Sequence, residues 1–342
     1  MVHRESEVVS QMGDGVSCGT GAYPASGTGV VLHPMQPEGR PPRLDFVDRS
    51  GSQVGSTDEF SIATFELDVI PQTNGFAIFD LYQGGLGDYP LKFYDDHARE
   101  RAQATHGTRT FELPDASVGV LRFEEVLLPD CGDQLSAQRF GDTGAPALPD
   151  PTDLGCFSQM EATAMAGNGA GKVLVLVSHT VTGWDAYWLD TDLRLLQKFT
   201  PAELAAEPDG PVTVSALLDG TFAVRFGSVW KYRIQPGATT FEPAPCWLAE
   251  RPATRVTAIQ FRGAYAVTHL QNESSDRTIE VLTSEGQSCG DLSLGGPTGH
   301  CDVAIGRDGT ITRSAYTVDA GAGNPAECVL QFWPGALGPT GF

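Results

Sequence analysis

A polar or glycine-containing turn, flanked on both sides by short apolar stretches, recurs along this chain at intervals of about 45 to 49 residues. The clearest copy is AYWLDTDLRLLQKF at 186–199, hinged on Asp-Thr-Asp. LDFVDRSGSQVG turns near 50, LKFYDDHARERA near 96, LSAQRFGDTGAPAL near 143 and VWKYRIQPGATTF near 236. IEVLTSEGQSCGDL turns near 285 and CVLQFWPGALG near 334. A second series runs in phase with the first. NGFAIFDLY, GKVLVLVSH, DGTFAVRF, RGAYAVTHL and DGTITRSAY each open a strand after a glycine turn, GTGVVLH fits the pattern, and SVGVLRF fills the remaining slot without glycine. Asn-Gly and Asp-Gly favour tight hairpins because they accept positive φ at low steric cost.

Each unit therefore reads as strand a, glycine turn, strand b, loop, strand c, turn, strand d. Seven repeats of four antiparallel strands are the pattern of a β-propeller, and 342 residues divided by seven gives about 49 per blade. The whole chain, 1–342, is expected to form one propeller domain. The organisation resembles the β-propeller superfamily, in particular seven-bladed quinoprotein-like and NHL-like rings, whose c–d hairpins FVDRSG at 46–51 is similar to. That resemblance implies architecture and no particular activity. The Trp-Asp ending of WD40 blades, the Asp-box and the longer quinoprotein motif are absent from the sequence. The C-terminal ALGPTGF is a poor strand, since Gly and Pro weaken a ladder, so ESEVVSQM at 5–12 is expected to close the last blade.

Between the blades, TPAELAAEP at 200–208 reads as a capping box with Thr200 as N-cap, predicting one or two helical turns. ARERAQATH at 98–106 fits a helix or an outer strand, and GDTGAPALPDPTDLG at 141–155 a surface connection.

Composition narrows the function classes. A net charge of −21 disfavours nucleic acid and anionic lipid as partners. No stretch approaches the ~20 apolar residues that span a bilayer, so membrane insertion is not expected. The start, MVHRESEVVSQM, lacks the basic and apolar regions of a signal peptide. The seven cysteines are dispersed and contain no C-x-x-C, which argues against zinc ribbons and thioredoxin-type chemistry. Disulfides in an extracellular or periplasmic protein suit this usage, with any leader already removed. Cys131 with Cys156 would close the Pro-rich loop, and Cys289 with Cys301 is the pairing favoured over an activated Cys301 thiol.

In a propeller the b–c and d–a loops share one face. His33 and His269 each end a b strand, and His300 begins the a strand of blade 7, with Asp302 and Glu273 nearby. Blades 6, 7 and 1 adjoin, so these imidazoles are candidates for a transition metal or a general base. His179 ends the b strand of blade 4, which suggests that the position simply tolerates histidine. Trp184 is the expected exposed aromatic on the binding face, where a sugar or peptide stacks. Trp188, Trp230 and Trp333 are read as core. GVSCG at 15–19 matches G-x-S-x-G, but no helix follows Ser17 as a nucleophile elbow requires. YDDHARE at 94–100 and DTD at 190–192 lack the glycine and terminal Glu of a calcium loop and read as rim turns. NES at 272–274 fits an N-glycosylation acceptor.

The expected function is a binding or scaffold module that holds a protein or glycan on its loop face as a monomer, without cofactor or metal. The alternative is a metal- or histidine-dependent hydrolase, lyase or oxidoreductase on the same face.

Overall fold

The computed structural model describes residues 10–11, 29–33, 43–48, 52–58, 67–80, 91–104, 109–128, 131–157, 160–179, 183–207, 211–269, 278–293, 302–306, 309–317, 327–333 and 336–337. Their strands form a β-propeller of antiparallel meanders. Six sheets are complete four-stranded blades, one fewer than the seven expected. Blade 1 shows three strands among the described residues, Gly29–His33, Arg43–Val47 and Gln53–Thr57, which fill positions b to d.

Blade 2 runs through Leu67–Gln72, Gly75–Asp80, Leu91–Asp95 and Glu100–Ala104, so the segment from 98 supplies an outer strand rather than a helix. Blade 3 comprises Arg109–Glu112, Val118–Leu128, Cys131–Phe140 and Thr152–Phe157. Blade 4 comprises Met160–Gly167, Val173–His179, Gly183–Leu189 and Leu195–Phe199. Blade 5 uses Val212–Ala216, Phe222–Phe226, Val229–Ile234 and the short Glu242–Pro243. Blade 6 uses Thr254–Ile259, Ala264–His269, Thr278–Thr283 and Ser288–Ser293. Blade 7 takes Asp302–Ile305, Ile311–Thr317 and Glu327–Trp333 from the C-terminal part of the chain. Its fourth strand comes from the N-terminus: Ser10 pairs with Cys328 and Gln11 with Glu327. The expected closure within 5–12 is thus the observed one.

Blade 4 shows why these segments are strands. Val173, Val175, Val177, Tyr187 and Leu189 join the apolar cluster shared with blade 3. The alternating residues Leu174, Leu176, Trp184, Ala186 and Trp188 join the cluster shared with blade 5. Alternation sends successive side chains to opposite faces, and here both faces are covered by neighbours. The inner strands therefore read as continuous apolar runs, while the outer strand LLQKF is mostly exposed. Each fully buried Val or Leu stabilises by about 1.5–3 kcal/mol. Equivalent clusters join each successive pair of blades from 1 to 7.

The turn at 190–194 is a local hydrogen-bonded loop. The backbone N–H groups of Asp192 and Arg194 both donate to Asp190 Oδ1, at 2.9 and 2.8 Å. Leu193 adopts φ +65° and is fully buried, so its apolar contacts offset a left-handed backbone worth about 1–2 kcal/mol of strain. Asp95 caps His97 and Arg99 in the same way, with Ala98 at φ +64°. In blade 6, Thr283 Oγ1 replaces the carboxylate. One geometry thus accepts several sequences.

The acidic hinge also ties two blades together. Arg139, on strand c of blade 3, donates to Ser117 Oγ at 2.9 Å and to Asp115 in its own blade. It reaches across to Thr191 O at 3.1 Å and Asp192 Oδ1 at 2.9 Å. Burial opposes ionisation of Asp115, but hydrogen bonds from Ser117 and the Arg139 charge outweigh it and hold the carboxyl below its ordinary range. A depressed folded pKa stabilises above the unfolded value and is lost as pH falls through the folded one. Arg139→Ala is expected to cost about 1–2 kcal/mol at pH 7, allowing for solvent screening, with the deficit shrinking in acid below the folded pKa of Asp115. Urea titrations of both proteins at pH 7 and in strong acid measure this; an equal deficit at both would remove Asp115 from the clamp.

Two local expectations need correction. Residues 202–204 form a single 3₁₀ turn whose N-cap is Pro201, with no side-chain cap. The Thr200 hydroxyl instead donates to buried Asp185 at 2.8 Å, a partner that local spacing cannot reveal. The Cys289–Cys301 pairing is also not formed, because Cys289 is a free, exposed thiol. The strands carrying Cys131 and Cys156 are hydrogen-bonded neighbours in blade 3.

Candidate functional site

The meander places a–b and c–d turns on one face of the ring and b–c and d–a connections on the other. The turn face is held by links between blades. Asn168 Nδ2 donates to Gly220 O at 2.6 Å, Trp188 Nε1 to Ala238 O at 2.7 Å, and Leu218 N to the Tyr265 hydroxyl at 2.9 Å.

The loop face is asymmetric. In blades 3, 4 and 5 the b–c connections span 129–130, 180–182 and 227–228, only two or three residues each. In blades 6, 7, 1 and 2 they span 270–277, 318–326, 34–42 and 81–90, or eight to ten residues. These four blades are consecutive around the ring. Their long connections, LQNESSDR, VDAGAGNPA, PMQPEGRPP and LYQGGLGDYP, are rich in Gly, Pro and polar residues.

His33 and His269 terminate the b strands of blades 1 and 6, paired with Arg43 and Thr254 respectively, so both positions belong to this face. Their side chains, like His300 and Ser17 as a whole, lie outside the described residues. Trp184 is a correction. It is 1% exposed and packs edge-on against Phe226, ring centroids 5.0 Å apart. Its place in the alternation points it into blade 5, so it is core like Trp188, Trp230 and Trp333. It offers no stacking platform.

The structure also assembles a polar cluster at the loop-face end of blade 4. Asp185 is buried; its Oδ1 accepts the Thr200 hydroxyl, and its Oδ2 lies 2.8 Å from Lys198 Nζ and 3.7 Å from His179 Nε2. The Phe157 ring of blade 3 lies 5.5 Å from the His179 ring. Lys198 Nζ stands 5.5 Å over Phe157 and 5.3 Å over Tyr187. Burial pushes the Tyr187 hydroxyl up to about 12 despite the nearby ammonium. For Lys198, burial works against the charge, but Asp185 and Tyr187 outweigh it and raise the pKa. At neutral pH Lys198 is therefore charged and Tyr187 protonated. Neither the neutral amine of a Schiff-base lysine nor a phenolate base is present. The cluster binds blade 4 to blade 3. Its sequence signal was Asp185 interrupting the apolar run GWDAYWL, since a buried carboxylate needs partners.

Asp95, Asp96 and His97 place three ligand atoms within 4.8 Å of one another. They occupy a c–d turn on the opposite face, where Asp95 Oδ1 already accepts two backbone N–H groups and His97 Nδ1 lies 2.8 Å from Asp96 Oδ1. This supports the rim-turn reading.

No family model and no curated protein matches the chain. Among solved structures it is similar to that of a puromycin hydrolase, with a TM-score of 0.59 and 12% identity over 92% of this chain and 52% of the other. The chain thus spans about half the length of that structure. Weaker likenesses are a protein of unknown function from Bacteroides caccae and the Dos1 propeller, both with TM-scores of 0.41. The former is 11% identical over 78% of this chain and 94% of the other, the latter 8% over 85% and 72%. At these identities the first likeness shows the fold alone, and the other two carry no argument.

Proposed function

We propose that this propeller is a binding or scaffold module whose loop face, above blades 6, 7, 1 and 2, holds a protein or glycan. The observation that supports this most is the confinement of every long b–c connection to those four consecutive blades. Connections of this length on a rigid scaffold are where binding residues concentrate. Among the described residues no helix is long and apolar enough to cross a membrane. Export to an extracellular or periplasmic compartment, with a Cys131–Cys156 disulfide, belongs to the same proposal and fits the neighbouring strands of those cysteines.

Peptide and glycan arrays probed with the wild-type protein test the reading, together with a variant whose residues 270–277 are replaced by a short Gly-Ser link. Binding that the replacement abolishes, and that survives Asp96→Ala on the opposite face, is expected. Binding indifferent to the replacement would sink it.

The second reading is an enzyme centred on His33, His269 and His300. Its support is that two b strands of this same sector end in histidine. It predicts bound transition metal in the purified protein that His269→Ala reduces.

A further inference from the structure

In most blades strand a runs alongside strand b to its loop-face end. The last pairs there are Leu67 with Asp80 in blade 2, Met160 with His179 in blade 4, Val212 with Phe226 in blade 5 and Thr254 with His269 in blade 6. In blade 7 the pairing stops at Ser314 of a strand that ends at Thr317. Blade 3 departs furthest from the pattern. Its strand a pairs only with Val118 to Leu121, the last pair being Arg109 with Leu121, while strand b continues to Leu128. Strand c follows b to the tip, where Cys131 lies opposite Leu128, and strand d follows c as far as Phe157 opposite Asp133.

Over residues 122–125 the blade therefore consists of b, c and d, and among the described residues no strand lies on the inner side of b. That inner edge faces the channel mouth, since strand a is the strand that lines the channel. Antiparallel pairing turns the N–H and C=O groups of alternate residues to opposite sides, so those of every second residue here point inward with no ladder to join. The ladder to strand c is regular from Val118 to Glu125 and shifts register only beyond it, so this stretch of edge is straight. It contains neither proline nor glycine.

Charge sets the partner. From Arg122 to Asp133 the chain carries Glu124, Glu125, Asp130 and Asp133 against one cation, Arg122, which ion-pairs with Glu124. Glu125 and Asp133 are directly opposite each other in the ladder, and like charges so placed cost stability. A cation brought in by a ligand offsets that cost. Phe123 packs against the apolar cluster shared with blade 4 and anchors the edge.

We propose that the inner edge of strand b in blade 3, from Arg122 to Glu125, takes an extended basic peptide as an added strand that continues the line of strand a on the loop face. An added strand gains main-chain hydrogen bonds whatever its sequence, and its side chains supply the selection. The proposal rests on the loop-face reading and narrows the ligand to protein, beside the long 81–90 connection of blade 2.

The test follows hydrogen exchange of the full-length protein, resolved by residue, with three capped heptapeptides. These are Lys-Val-Lys-Val-Lys-Val-Lys, the same peptide with every backbone nitrogen methylated, and Glu-Val-Glu-Val-Glu-Val-Glu. In the free protein alternate amides of 122–125 are expected to exchange faster than their neighbours. Only the first peptide is expected to bind and to slow them. Glu125→Lys is expected to weaken that binding about tenfold, the loss of one charge-assisted contact. The same variant is expected to melt no lower than the wild type, because it faces Asp133 with an opposite charge. A merely structural glutamate would lose stability instead. Asp142→Lys, in the c–d turn of the same blade, leaves binding unchanged.

The proposal is overturned if the amides of 122–125 are uniformly slow in the free protein, if the first peptide fails to bind, if the methylated peptide binds equally well, or if Glu125→Lys binds as wild type. Array binding through 270–277 with no response at 122–125 removes this proposal and keeps the loop-face reading. Peptide binding that survives replacement of 270–277, with no array ligand found, does the reverse.

Discussion

Trp184→Ala is expected to lower the unfolding free energy by about 3–5 kcal/mol, the range for truncating a large aromatic in a close-packed interior. The indole is 1% exposed in the cluster that joins blades 4 and 5, which also holds Leu174, Ala186 and Phe226. Neighbouring strands are hydrogen-bonded on both sides and cannot collapse into the space vacated. Trp184→Phe should cost far less. It keeps an aromatic edge against Phe226 and removes the indole N–H, which is buried with no partner among the described residues. Denaturant unfolding of both variants measures the ordering. A loss under about 1 kcal/mol for Trp184→Ala would place the ring outside the core and return it to the candidate binding residues.

Gly286→Ala is expected to cost about 2–4 kcal/mol, far more than the added methyl alone suggests. Gly286 closes the c–d turn of blade 6 at φ +80°. A Cβ there would lie 2.1 Å from Trp247 Cγ and 2.6 Å from Trp247 Cβ. These atoms are at the root of the side chain, so the indole cannot simply swing its tip away. It would have to leave Tyr265, whose ring centroid is 4.9 Å distant. Gly263→Ala separates the two contributions. Gly263 has φ +58° and nothing within 4 Å of a built Cβ, so it carries only the left-handed penalty of about 1–2 kcal/mol. Equal losses at both positions would show that Trp247 does not rest on Gly286.

Much of the architecture was legible because a propeller repeats itself. A blade's inner strands are buried on both faces, so they write themselves as short apolar runs such as VLVLVSH. The turns between them need a left-handed residue or an Asp or Thr side chain at fixed places. Periodicity in both signals reveals the meander even where one turn is weak, as near 143. It also left the last blade one strand short at its C-terminal end, which pointed to the N-terminus as the closing strand. Trp184 reads as a loop residue because its neighbours in sequence, Gly183 and Asp185, look like a loop, whereas the structure buries it. The direction of its side chain depends on where the strand begins.

The contacts between blades were not legible in the same way. Arg139 and Asp192 are 53 residues apart, and nothing local in either segment marks the other. Thr200 looked like a helix cap because its nearest sequence neighbours fit one, whereas its hydroxyl serves Asp185 on an adjacent strand.

By itself the sequence determined the strand rhythm, the four-stranded repeat and the closure of the ring, because backbone periodicity and turn stereochemistry act within a few residues. Tertiary structure alone decided which side chains meet: that Trp184 is core and that the acidic hinge clamps blade 3 to blade 4. The physical reason is that burial and electrostatics act through space, between strands that the repeat sets about fifty residues apart.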